Sequence, residues 1–206
     1  MEFSDHLNEL GTTEVLSARG PRNSVDPRYP YAFLVESEHA ASGRVEKVAT
    51  IFLTNRECPF RCLMCDLWKN TTEQRVAIGM IPEQIDYALS RLPPAQHIKL
   101  YNSGNFFDHQ AIPPEDYAAI ADRVRDFDTV IVENHPKLFS DDCFRFRDLL
   151  AGELEVAYLL PLALRRCPTA VAGPGTPVPT VVTRSRERGE PLHLVGGGPN
   201  ASVASR

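Results

Sequence analysis

The 206-residue chain contains no apolar run approaching the roughly 20 residues that a membrane-spanning helix needs. Its opening residues, Met1 to His6, are polar and acidic and lack the basic and apolar blocks of a secretory leader. Both absences predict a cytoplasmic protein without a membrane partner, in a compartment where thiols stay reduced. An excess of basic charge is lacking too: 22 lysines and arginines face 27 aspartates and glutamates, for a net charge of −5. Over residues 1–160 the balance is 16 basic against 25 acidic groups, so bulk charge does not mark a nucleic-acid-binding body. Residues 161–206 contain no Phe, Tyr, Trp, Ile, Lys or Asp, but seven prolines and six glycines. That composition predicts a tail with no strand or helix of useful length. A natural disordered tail would account for it. So would a domain cut short whose GC-rich gene continues in another reading frame, and the abrupt halt of patterning after Leu160 favours the second.

What is present points elsewhere. Three of the five cysteines fall within eight residues: Cys58, Cys62 and Cys65, spaced C-x3-C-x2-C. Cys143 and Cys167 stand alone and read as core or incidental thiols. An odd count crowded onto one segment does not suit a disulfide framework. A structural zinc site usually takes four ligands, often from paired C-x2-C units. Only one such pair exists, so Asp66, His109 or His135 would have to complete it. Three closely spaced thiolates suit an iron–sulfur cluster better, because they hold three corners of the cube and leave the fourth iron open. Residues 48–54 are apolar and rich in β-branched side chains, and read as a buried strand. Asn55 to Glu57 break that pattern, and Pro59 removes a backbone donor. The cysteines therefore belong to a loop at the C-terminal end of a strand, which is where parallel α/β folds bind ligands.

The rest of the chain alternates. A short strand is expected over 31–35, helices over 81–92 and 114–126, and strands over 97–101 and 129–132. A third helix, capped by Ser140 or Asp141, should run to Leu150, and a strand should follow over 154–158. Strand–helix alternation of this kind is a parallel α/β pattern with right-handed crossovers. A doubly wound sheet and a barrel give the same local signals. The expected division is a polar extension over 1–30, a core over 31–160 and the tail over 161–206.

The cysteine triplet resembles that of the radical S-adenosylmethionine (SAM) superfamily. The resemblance implies an α/β fold built as a partial parallel (β/α) barrel, incomplete at its C-terminal end. It also implies a [4Fe-4S] cluster on Cys58, Cys62 and Cys65, with SAM bound at the open iron and cleaved to a 5′-deoxyadenosyl radical. The position before the last cysteine, aromatic in most of the superfamily, is Met64 here, whose polarisable sulfur can pack on adenine. Ser103, Gly104 and Asn105 stand where relatives carry a Gly-rich segment that meets SAM's amino group. Glu133, at the end of the third strand, would bind a ribose hydroxyl or a substrate amine. Phe60, Trp68 and Phe106 offer aromatic surface or ordinary core. His135 reads as structural. Arg56, Arg61, Lys69 and Lys99 would form a basic rim or merely a solvated surface.

Residues 51–69, 100–108 and 130–136 are similar to archaeosine-biosynthesis radical SAM proteins and to the radical SAM domain of the elongator catalytic subunit. That similarity implies a modified base in tRNA as substrate and a flavodoxin or ferredoxin as electron donor. The chain departs from those relatives after its fourth strand, where Tyr158 to Pro161 replace a Gly-Leu-Glu turn. An unfinished barrel exposes a strand edge, so a zinc-binding module and an inactive fragment stay open as alternatives.

Overall fold

The computed structural model describes residues 12–40, 43–62, 65–157, 179–182 and 194–196. A short helix α1 (Thr12–Ser17) precedes a five-stranded sheet made of β1 (Ala32–His39), β2 (Val45–Phe52), β3 (His97–Tyr101), β4 (Thr129–Glu133) and β5 (Glu153–Ala157). Helices α2 (Met80–Leu89), α3 (Tyr117–Arg123) and α4 (Asp141–Leu149) connect β2 to β3, β3 to β4 and β4 to β5. The strands lie side by side in chain order; β1 pairs antiparallel with β2, and the others are parallel. The antiparallel edge was not read from the sequence. It forms because Gly43, at φ +78, closes a tight hairpin with Ala40, a backbone that glycine adopts without penalty.

A doubly wound sheet requires the strand order to reverse, and the described strands show no reversal. A parallel sheet that grows in one direction by right-handed crossovers carries its helices on one face. Accordingly α2 packs on α3, and α3 on α4. The register matches side chains into rows across the sheet. Ala49, Ile98, Val130 and Leu154 form one apolar row, and Ile51, Leu100, Val132 and Val156 form the next. All eight are buried, in one core with Ile81, Ile85, Ile120 and Phe146 from the helices. The alternate rows point to the opposite face and are more polar: Thr50, Lys99, Ile131 and Glu155, then Phe52, Tyr101, Glu133 and Ala157.

Local sequence explains the helix ends. Pro82 sits in the first turn of α2, where its missing N–H is harmless, and the Asp116 carboxylate accepts a hydrogen bond from Gly79 N at 2.8 Å just ahead of that turn. α2 ends at Leu89, three residues short of the expected bound, and the chain turns through Ser90 to Leu92. The helix expected over 114–126 divides into a 3-10 turn at Pro114–Asp116 and α3. Ser140 caps α4 by accepting from Asp142 N at 3.3 Å. Two further strands, β6 (Pro179–Val182) and β7 (Leu194–Gly196), pair antiparallel where no strand was expected. A ribbon this short has little stability of its own. Among the described residues no helix is long and apolar enough to cross a membrane.

One position tests the packing of β5. A Cβ on Gly152 would collide with the carbonyl oxygens of Phe127 and Asp128, which are backbone and cannot rotate away. Gly152→Ala is expected to lower unfolding free energy by about 1–3 kcal/mol in urea titration. Gly20→Ala, with nothing within 4 Å of its Cβ, should change it by less than about 0.5 kcal/mol.

Candidate functional site

The loop leaving β2 is held firmly at its neck. Leu53 N donates to Tyr101 O at 2.6 Å, which extends the parallel ladder past the strand. Thr72 N donates to Asn55 O at 2.8 Å and Glu57 N to Thr72 O at 3.2 Å, so the outgoing and returning arms pair. Gln84, fully buried on α2, accepts from Thr54 N and donates to Thr54 O and Pro27 O, at 2.7–2.8 Å. One carboxamide thus satisfies three backbone groups that would otherwise be orphaned. Beyond this neck lie Cys58, Cys62 and Cys65, each half-buried, and a 3-10 turn at Leu67–Asn70 that buries Trp68.

Three loops at the C-terminal ends of β2, β3 and β4 meet at Cys58. Asn105 Nδ2 donates to Cys58 Sγ at 3.2 Å, and Asn105 Oδ1 accepts from His135 N at 2.7 Å. The second bond fixes the amide orientation, since a backbone N–H can face only the oxygen. Gly104 lies directly beneath: a Cβ there would come within 3.2 Å of Cys58 Cβ. Ser103 takes φ +51 to turn the chain, and its hydroxyl meets Tyr31 Oη at 3.0 Å. The Phe60 and His135 rings pack in a tilted pair with centroids 4.2 Å apart. Arg61 has φ +49, and Cys65 N donates to Cys62 O at 3.1 Å.

The electrostatics are those of a half-dry site. Burial pushes the Cys58 thiol above its ordinary range, while hydrogen bonds from Phe60 N and Asn105 pull it back. Glu133 is 8% exposed, and its side chain makes no hydrogen bond among the described residues. Burial raises its pKa to about 7, with Lys99 acting the other way. Asn102 is fully buried, and among the described residues neither its oxygen nor its nitrogen has a partner. An amide left in that state costs about 1–3 kcal/mol unless something meets it.

The structure separates other residues grouped by the sequence. Phe106 lies in the core against Phe107, Tyr117 and Phe146. Trp68 packs under two arginines. His109 bonds Asp142 at 2.6 Å. The four cations of the expected rim each have a partner: Arg61 with Glu57 and Lys69 with Asp66 on the cysteine loop itself, Arg56 with Gln110, and Lys99 with Glu38 on the sheet face. Met64 lies outside the described residues. Sequence reasoning passed over Arg19, Arg22 and Glu57, although a carboxylate directly before the first cysteine was visible in the run.

For an iron–sulfur cluster the donors fit in kind: three soft thiols on one loop. Among the described residues no three His, Cys, Asp or Glu side chains are arranged around one metal position.

No family model matches the chain, and no solved structure matches it. It is similar to an uncharacterized protein of Methanocaldococcus jannaschii, with 23% identity over 134 residues, covering 59% of this chain and 37% of that protein. The chain thus spans little more than a third of the length of that relative.

Glu133 offers a pH test. Its folded pKa of about 7 stands above its ordinary value. The protein therefore keeps this stability below the ordinary carboxylate pKa and loses it as pH rises toward 7. Glu133→Gln should remove that slope and stabilise the chain by on the order of 2 kcal/mol at neutral pH. Urea unfolding of both proteins across pH 4.5–8 checks it, and parallel stability curves would contradict the assignment. Asn105→Ala leaves His135 N without its acceptor and should cost about 1–3 kcal/mol, read in the same titration.

Proposed function

We propose that this chain binds a [4Fe-4S] cluster through Cys58, Cys62 and Cys65 and acts in radical SAM chemistry. In this reading the five-stranded sheet is part of a parallel (β/α) barrel. The observation carrying it is the C-x3-C-x2-C loop at the C-terminal edge of the parallel sheet, with the turn after β3 packed against Cys58. When bound, the cluster supplies the electron that cleaves SAM to methionine and a 5′-deoxyadenosyl radical, which takes hydrogen from the substrate.

The chain's own part is to bind, orient and exclude water. The three thiols become thiolates to ligate iron, and metal binding releases their protons. Asn105 Nδ2 points at Cys58 Sγ and would steady that sulfur as an acceptor, the outer-shell role that tunes a metal site. Gly104 and the strained Ser103 turn allow backbone to approach a ligand closely. Glu133, buried and with its pKa raised to about 7, can donate to a hydroxyl when protonated or pair with an amine when charged. Met64 would pack on the adenine of SAM. The resemblance alone assigns a modified tRNA base as substrate class and a flavodoxin- or ferredoxin-type protein as reductant.

Anaerobic reconstitution with iron and sulfide should give thiolate-to-iron charge-transfer absorption in the intact chain. Cys58→Ala, Cys62→Ala and Cys65→Ala should each abolish it. Dithionite with SAM should then release 5′-deoxyadenosine. Tight stoichiometric zinc with no iron uptake would overturn the reading, and so would a cluster that survives loss of any one of these cysteines. A cluster-loaded chain that yields no 5′-deoxyadenosine would keep the cluster and remove the catalysis.

A further inference from the structure

The residue before the first cysteine is a half-buried carboxylate that the fold has surrounded with cations. The Glu57 side chain is 9% exposed, and both of its oxygens are taken: Oε1 by Arg19 and Oε2 by Arg22. Arg61 Nε stands 3.8 Å from Oε1. The arginines come from the segment that follows α1, some 35 to 38 residues earlier in the chain. The same segment also grips the returning arm of the loop. Arg22 Nη1 donates to Trp68 O at 2.9 Å and to Thr71 Oγ1 at 2.7 Å. Asn23 N donates to Lys69 O at 2.9 Å, and Asn23 Nδ2 to Asn70 Oδ1 at 2.7 Å. The Trp68 ring lies under both guanidinium groups, 4.8 Å from that of Arg19 and 5.8 Å from that of Arg22.

We propose that residues 19–23 are a strap that positions the cysteine loop, with Arg22 as the positioning residue acting through Glu57 on Cys58. The proposal rests on the reading of Cys58, Cys62 and Cys65 as cluster ligands. A surface ion pair of two flexible chains contributes little. This one differs, because the planar fork of Arg22 spans both arms of one loop: it bonds Glu57, Trp68 O and Thr71, lies over the Trp68 ring, and stands 3.9 Å from Glu73 Oε1. Cys58 is thereby fixed from two sides: Gly104 and Asn105 press on its side chain, and the strap holds the residue before it. The remaining loop to Cys65 is short. Anchoring its first residue lowers the conformational entropy lost when three thiolates close on one cluster.

The test uses the full chain and the variant Arg22→Gln, with folding checked by circular dichroism. Trp68 is the single tryptophan, so its emission reports the strap directly, even without metal. Arg22→Gln should shift that emission to the red and speed tryptic cleavage at the Arg61–Cys62 bond several-fold. Iron and sulfide retention after reconstitution should weaken about tenfold. Arg22→Lys, which keeps the charge but loses the fork, should fall between. Glu57→Gln, which weakens the strap from its other end, should reproduce the effect if Arg22→Gln folds poorly. Unchanged emission and cleavage would overturn the strap. Faster cleavage with undiminished cluster retention would overturn its positioning role. A wild-type chain that never takes up iron sinks the cluster reading and the proposal together. Equal loading of wild type and variant sinks the proposal alone.

Discussion

The parallel register between β2 and β5 is the constraint on which everything else in the molecule depends. Each strand pairs with the next so that two complete rows of apolar side chains face the helices and the alternate rows face away. Side chains alternate with a period of two, so slipping one strand by a single residue would turn its apolar set out and its polar set in. The same register aligns the C-terminal ends. Phe52 stands beside Tyr101, and Glu133 beside Ala157, so the loops that follow emerge next to one another. The site at Cys58 is a consequence of that alignment, assembled by backbone pairing before any functional side chain is considered.

The cost of such an edge is a set of unpaired backbone groups, and much of the polar side-chain inventory is spent on them. Gln84 serves Thr54 and Pro27, and Asn105 serves His135. Asn134 accepts from Phe107 N and donates to His135 O. Buried carboxamides suit this work because each offers a donor and an acceptor without a charge to desolvate. Among the described residues the Asn102 carboxamide has neither end met, and Asn55 Oδ1 is unmet too.

Much of the fold was legible because its signals are local. The apolar run of β2, the alternation in β3, β4 and β5, Pro82 at the start of α2 and Ser140 ahead of α4 each announce an element through its own residues. Boundaries drifted where local signals compete: α2 stops at Leu89 although Leu92 continues the apolar face, and α3 begins after Pro114–Asp116 have turned as a 3-10 segment. The pairing of β1 was not legible, since an edge strand reads the same whether it runs parallel or antiparallel to its neighbour. Phe106 shows a similar ambiguity: an aromatic beside a glycine-containing turn serves a ligand or a core equally well in sequence, and packing sends it to the core.

By itself the sequence determined what chemistry is on offer: three thiols spaced to share one loop, a break in the strand that leads into them, and the strand–helix rhythm that makes a parallel sheet. These follow from neighbours in the chain. Only the tertiary structure decided what surrounds the first cysteine. Asn105 and Gly104 arrive from the next strand, the His135 backbone from the one after, and Arg19 and Arg22 from a segment before the sheet begins. No periodicity links such distant positions. Their meeting is set by strand order and register, and by the need of a half-buried Glu57 carboxylate for cationic partners wherever the chain can bring them.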